Sequence, residues 1–149
     1  MGFINNSSKQ KKEQAANFYD NLELYHKNVD KILELIQDYF DHRKTRFNAK
    51  YMAVKVCEGK VLESTEELGE EAKNRIGYWS RNEKTELKDS IFTIEFFDKI
   101  FFCKIFEFDE DHQILAGYLL EETALVRTFI SKFSEEKIRE KYEKLLSII

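Results

Sequence analysis

Arg75, Tyr78, Trp79 and Arg81 place two guanidinium groups and two aromatic rings in one short stretch of the chain. Arginine offers a planar fork of donors to a carboxylate, and an aromatic ring gives a ligand a flat apolar wall. The grouping is therefore a candidate site for a small anion. Lys104, a lone charge in an apolar run, and Tyr118, on a later apolar run, are expected to face the same space. A plainer reading stands beside this one. Trp79 would plug the open side of a sheet while the arginines stay in water. Residue types alone leave both open.

Other chemistries lack their signatures. A structural or catalytic metal needs clustered ligands, and His26, His42 and His112 stand far apart on different segments. The acidic turn Asp109-Glu110-Asp111-His112 has neither the length nor the glycine of a calcium-binding loop. Cys57 and Cys103 are too few for a disulfide framework and are expected as free core thiols. Carboxylate pairs such as Glu66-Glu67, Glu70-Glu71 and Glu121-Glu122 recur so often that none stands out as a general acid and base. With only five glycines there is no phosphate-binding loop and no dinucleotide fingerprint. No enzyme, no metal and no cofactor are expected.

The elements that must hold these residues can be read from periodicity. Residues 1–8 read as a flexible leader. From Lys9 to Asn48 there is neither Gly nor Pro. Ala15, Phe18, Leu22, Tyr25, Val29, Ile32, Ile36 and Tyr39 recur in alternating steps of three and four, a heptad-like seam on a long helix. A helix of about 40 residues would run roughly 60 Å, longer than a domain of this size. It must project, pair with a second helix, or break near His42 to Arg46. The expectation is homodimerisation through this helix. Tyr51–Cys57 alternates as a strand, and Glu58-Gly59-Lys60 turns it into a return strand from Val61. Ser64 and Glu67 form a capping-box pattern for a short helix, Glu66–Ile76, that Gly77 ends. Tyr78–Asp89 lacks a period and reads as a loop. Strands follow at Ile91–Phe97, Ile100–Phe108 and Gln113–Leu120, with a two-residue turn at Asp98-Lys99. Thr123 caps a last helix, whose stripe runs Leu125, Phe129, Phe133, Ile138, Tyr142 and Leu145. The fold class is α+β: a five-stranded antiparallel PAS-like sheet with a long N-terminal helix (9–48), a short middle helix within the sheet region (49–121) and a C-terminal helix (123–149).

Composition bounds the rest. The chain has 149 residues, fitting one domain. It is 14% aromatic, which a disordered chain is not. Its net charge of −4 argues against nucleic acid, whose binders concentrate positive charge. No apolar run reaches the about 18 residues of a membrane span, and Phe3-Ile4 is too short for a signal-peptide core.

Three stretches carry a family likeness. They are the long helix leading into the sheet, the hairpin "YMAVKVCEGKVLES", and the close "FFCKIFEFDEDHQILAGYLLEETALVRTFI". Over roughly residues 10–130 this order resembles a PAS-like sensory domain, above all the single Cache domain of bacterial membrane receptors. The resemblance implies an extracytoplasmic, periplasmic module of a chemoreceptor, histidine kinase or cyclase. It would bind a small anionic molecule and pass the signal through its flanking helices. The stretch "RIGYWSR" supplies Arg75, Trp79 and Arg81 in the region where amino-acid-binding Cache domains hold their ligand, at a different spacing. Membrane spans would lie in segments outside this chain. The alternative is an intracellular roadblock- or longin-like interaction scaffold. Such scaffolds also set a five-stranded antiparallel sheet between helices and bind partners without ligand or catalysis.

Overall fold

The structure is a computed structural model, described here for residues 18–44, 46–82, 91–107 and 111–133 and positions 140 and 143. Both the 1–8 leader and the helix start at Lys9 lie outside them, as do most of the residues beyond Phe133.

The apolar seam of the first segment folds as expected into a helix, here α1, Leu22–His42, entered through a single 3-10 turn at Tyr19–Asn21. It ends at His42, inside the window where a break was expected and short of the full 9–48 range, because the chain must turn there to enter the sheet at Ala49. Lys44 takes a positive φ of 51°, which reverses the chain toward the sheet. Tyr25, Val29, Ile32, Ile36 and Tyr39 of the seam are buried. They pack on the chain's own sheet.

Five strands form one antiparallel sheet: β1 Ala49–Cys57, β2 Lys60–Ser64, β3 Ile91–Glu95, β4 Lys99–Glu107 and β5 His112–Glu121. Their order across the sheet is β2-β1-β5-β4-β3. The β1–β2 hairpin turns on Glu58 and Gly59, both at positive φ (49° and 78°). That is the handedness a two-residue hairpin loop needs to match strand twist. The β3–β4 turn lies one residue earlier than expected. Phe96 N–H bonds the Lys99 carbonyl at 2.8 Å, so Phe97 and Asp98 form the loop and Phe97 stands 86% exposed.

The middle helix, α2, Glu70–Asn82, corrects three expectations. Ser64 does not cap it. Ser64 still belongs to β2 and pairs with Val54, and its hydroxyl donates to the Glu66 carbonyl. Thr65 extends the ladder, bonding Ala53 through both its N–H and its Oγ1. Gly77 does not end the helix either. It is glycine because α2 presses on the β1–β2 turn there: a Cβ at 77 would lie 2.1 Å from the Gly59 carbonyl oxygen. Tyr78–Asn82 is therefore helix, not loop, and residues 83–90 lie outside the described ones.

α3, Ala124–Phe133, begins as read from the sequence, with Thr123 Oγ1 accepting the Val126 N–H at 3.2 Å. α1 and α3 share one face of the sheet, over Ala53, Ile100, Phe102, Ile114, Ala116 and Leu120. α2 lies on the other face, where Ile76 and Trp79 meet Met52, Val54, Phe92, Ile94, Phe101 and Leu115. Both faces are thus filled with buried side chains. Among the described residues no helix is long and apolar enough to cross a membrane.

Candidate functional site

Four contacts fix α2 to the sheet. Gly77 rests on Gly59, Ile76 is fully buried, Trp79 stacks on Phe92 (centroids 5.7 Å apart, planes at 27°), and the buried Ser80 hydroxyl donates to the buried Gln113 Oε1 at 3.0 Å. These contacts leave Glu71, Asn74, Arg75 and Tyr78 on the outer side of the helix. Together with Trp79, Thr93 and Glu95 they line a groove of about 940 Å³ beside the outer strand β3. The groove opens to solvent along its length, and Tyr78 on its rim is 55% exposed.

Three of the six candidate residues, Arg75, Tyr78 and Trp79, therefore meet in one place. Arg81 belongs to the last turn of the same helix, and its side chain lies outside the described ones. Lys104 and Tyr118 go elsewhere. Strand alternation puts Phe101, Cys103 and Ile105 toward α2, so Lys104 points to the opposite face, its Nζ 5.8 Å from the Phe106 ring centre. Tyr118 is on that opposite face as well, among the residues under α1. The sheet stands between these two and the groove.

Arg75 is already engaged. One guanidinium nitrogen donates to the Glu95 backbone carbonyl at 2.6 Å and the other to Glu71 Oε1 at 3.0 Å. Glu95 in turn pairs with Arg127 at 3.5 Å, and Arg127 with Glu122 at 2.6 Å. The groove carries two carboxylates and one arginine. Its charge gives no preference for an anion. Exposed pairs of this kind contribute little to stability.

A second polar cluster, not anticipated from the residues, ties α1 to the sheet. His26 Nε2 lies 3.0 Å from the Tyr118 hydroxyl, which donates to Asp30 Oδ1 at 3.4 Å. The His26 ring stacks on Tyr51 at 4.2 Å, and the Tyr51 hydroxyl donates to the Leu22 carbonyl. Burial, with Asp30 close by, pushes the Tyr118 phenol up to about 12. Burial also raises Tyr25 to about 12, and raises Tyr51 further. Phenols held neutral in this way are poor bases and nucleophiles near neutral pH. The sequence did carry one signal. His26 and Asp30 stand four apart, on one helical face. The missing piece was the pairing of Tyr51 with Tyr118 across β1 and β5.

Both cysteines are free thiols, Cys103 buried and Cys57 half-buried, and burial pushes the Cys103 thiol well up. Among the described residues no group of three or more His, Cys, Asp or Glu could hold a metal ion.

Compared with protein-family models, with curated proteins and with solved structures, the chain matches none.

Proposed function

We propose that the chain is a non-catalytic protein-interaction scaffold, and that a partner polypeptide docks in the groove between α2 and β3. One observation carries this reading. Side chains fill both faces of the sheet, so the aromatic-walled depression lies outside the body and is open along its flank. A small-molecule pocket encloses most of its ligand, and this groove does not. Tyr78 on the rim and Trp79 on the floor are residue types that anchor protein partners. The charges in the groove are largely spent on one another. Recognition then rests on aromatic contact, and the partner contributes an apolar or aromatic segment. The sheet set between helices supports a likeness to roadblock and longin-like scaffolds, and a cytoplasmic setting goes with it.

Replacing Tyr78 by a photo-crosslinking amino acid in cells tests the reading. One defined polypeptide should crosslink from position 78 and not from Lys132, exposed on α3 at the opposite side of the sheet. Equal capture from both positions, or none from 78, would contradict it.

The gathering of Arg75, Tyr78 and Trp79 at one groove favours a second reading, a PAS-like or Cache-type sensory module. On that reading the groove binds a small molecule, the N-terminal helix forms a homodimer, and the domain is extracytoplasmic. A thermal-shift screen of organic acids and amino acids separates the two. Stabilisation that disappears in Trp79→Ala supports the sensor, and no stabilisation by any compound removes it.

A further inference from the structure

α1 and α3 share one face of the sheet, and a hollow of about 530 Å³ lies between them at the end where β1 begins and β5 finishes. Its floor is Phe40 and Val126, both buried. Its walls are Leu125 and Phe47, whose ring stacks on Phe40 with centroids 4.7 Å apart and planes at 30°. Arg46 stands exposed at its rim, and among the described residues no carboxylate forms an ion pair with it. Glu121 also borders the hollow, but strand alternation turns its side chain to the other face: Leu120 lies under α1 and Leu119 under α2. There Glu121 stands directly opposite Lys99 of β4. The Arg46 charge is left unanswered beside apolar walls.

We infer that this hollow binds a small amphipathic carboxylate, its head on Arg46 and its aliphatic or aromatic body against Phe40, Phe47, Leu125 and Val126. A guanidinium takes a carboxylate through two parallel hydrogen bonds, which fixes the head in one orientation. The apolar walls select for a body that leaves water. The hollow is within the size range of small-molecule sites, and it has their composition, mainly apolar lining with one placed charge. It lies on the face of the sheet away from the α2–β3 groove, and it requires no partner polypeptide. An occupant touches α1, α3 and the chain entering β1 together, so it holds the two helices to each other at this end and stabilises the fold.

Titration of the whole chain with octanoate, followed by amide chemical shifts and by thermal melting, tests the inference. Millimolar octanoate should move the amides of Phe47, Thr123, Leu125 and Val126 and raise Tm. Octanamide, which keeps the body and loses the charge, should bind about tenfold more weakly, and acetate, which keeps the charge and loses the body, should leave Tm unchanged. Arg46→Ala should weaken octanoate binding about tenfold. Arg46→Lys should lie between, since an ammonium keeps the charge without the fork. Because Arg46 is exposed, both variants should melt with the parent when no ligand is present. Leu125→Trp fills the hollow from its wall and should also abolish binding. Should that variant fail to fold, the Arg46 series decides alone. No movement of these amides at millimolar octanoate would overturn the inference, as would equal binding of octanoate by the parent and Arg46→Ala. Binding lost in Trp79→Ala and kept in Arg46→Ala would place the ligand in the α2–β3 groove instead, and would overturn it too.

Discussion

Replacing Gly77 by alanine sets two effects of opposite sign against each other. Within a helix, Gly→Ala ordinarily stabilises by about 0.8–1 kcal/mol, because glycine loses more backbone freedom on folding. At this position the new methyl would lie 2.1 Å from the Gly59 carbonyl oxygen and 3.1 Å from its carbon. The nearest atoms are backbone of a tight turn, not the end of a flexible side chain, so one element must shift by about 1 Å. Overpacking of this kind costs typically 1–3 kcal/mol and sometimes more. Separating α2 from the turn also loosens Ile76, Trp79 and the Ser80–Gln113 bond. The clash should win, with a net loss of about 2 kcal/mol. At about 2–4 °C per kcal/mol for a domain near this size, Tm should fall by roughly 4–8 °C. Asn74→Ala, exposed on the same helix, should instead gain a few tenths of a kcal/mol. Calorimetry on both variants is the assay. A rise in Tm for Gly77→Ala equal to the propensity gain would refute the reasoning, since it would mean that α2 does not bear on the hairpin turn.

Four further outcomes follow from the packing. The raised phenols of Tyr25 and Tyr118 stay protonated in the folded state when unfolded tyrosines ionise near pH 10. Their contribution to stability is whole below about pH 10 and is lost as pH rises toward 12, which urea titrations at several alkaline pH values will show. Asp30→Asn should bring the Tyr118 phenol part of the way down, as read by ultraviolet titration, because burial remains the larger cause. Phe129→Ala removes a ring that packs against Tyr39, Phe40, Phe102 and Phe133, and should cost about 3–5 kcal/mol in denaturant unfolding. A thiol reagent on the native protein should label Cys57 and spare Cys103 until denaturant is added.

Much of the fold was legible because it is written locally. Seam spacing gave α1, alternation gave β1, apolar runs between turn residues gave the later strands, Gly59 marked the first hairpin, and Thr123 marked the start of α3. The failures share one physical cause, which is contact between segments distant in sequence. A glycine that admits another backbone looks, along the chain, the same as a glycine that ends a helix. Gly77 differs only through Gly59. Ser64 and Thr65 have the chemistry of helix caps, yet β1 claims them first, because a strand pairing uses more of their backbone than a cap does. Of the candidate site, Arg75, Tyr78 and Trp79 could be grouped because they stand close together in the sequence, although Tyr78 and Trp79 were expected on a loop and lie on α2. Lys104 and Tyr118 could not be assigned, because β4 and β5 are apolar on both faces and their patterns do not say which side faces which helix. The His26–Asp30–Tyr118 cluster required the register of β1 on β5.

The central claim is that Tyr78 and the groove beside it bind a polypeptide. Calorimetric titration of the polypeptide captured at position 78 against the parent chain and Tyr78→Ala tests it most directly. An interface anchor of this type is worth about 2 kcal/mol or more, so affinity should drop roughly thirtyfold in the variant. Equal affinity for the two proteins, or displacement of the polypeptide by a small organic acid that binds the same groove, would contradict the account.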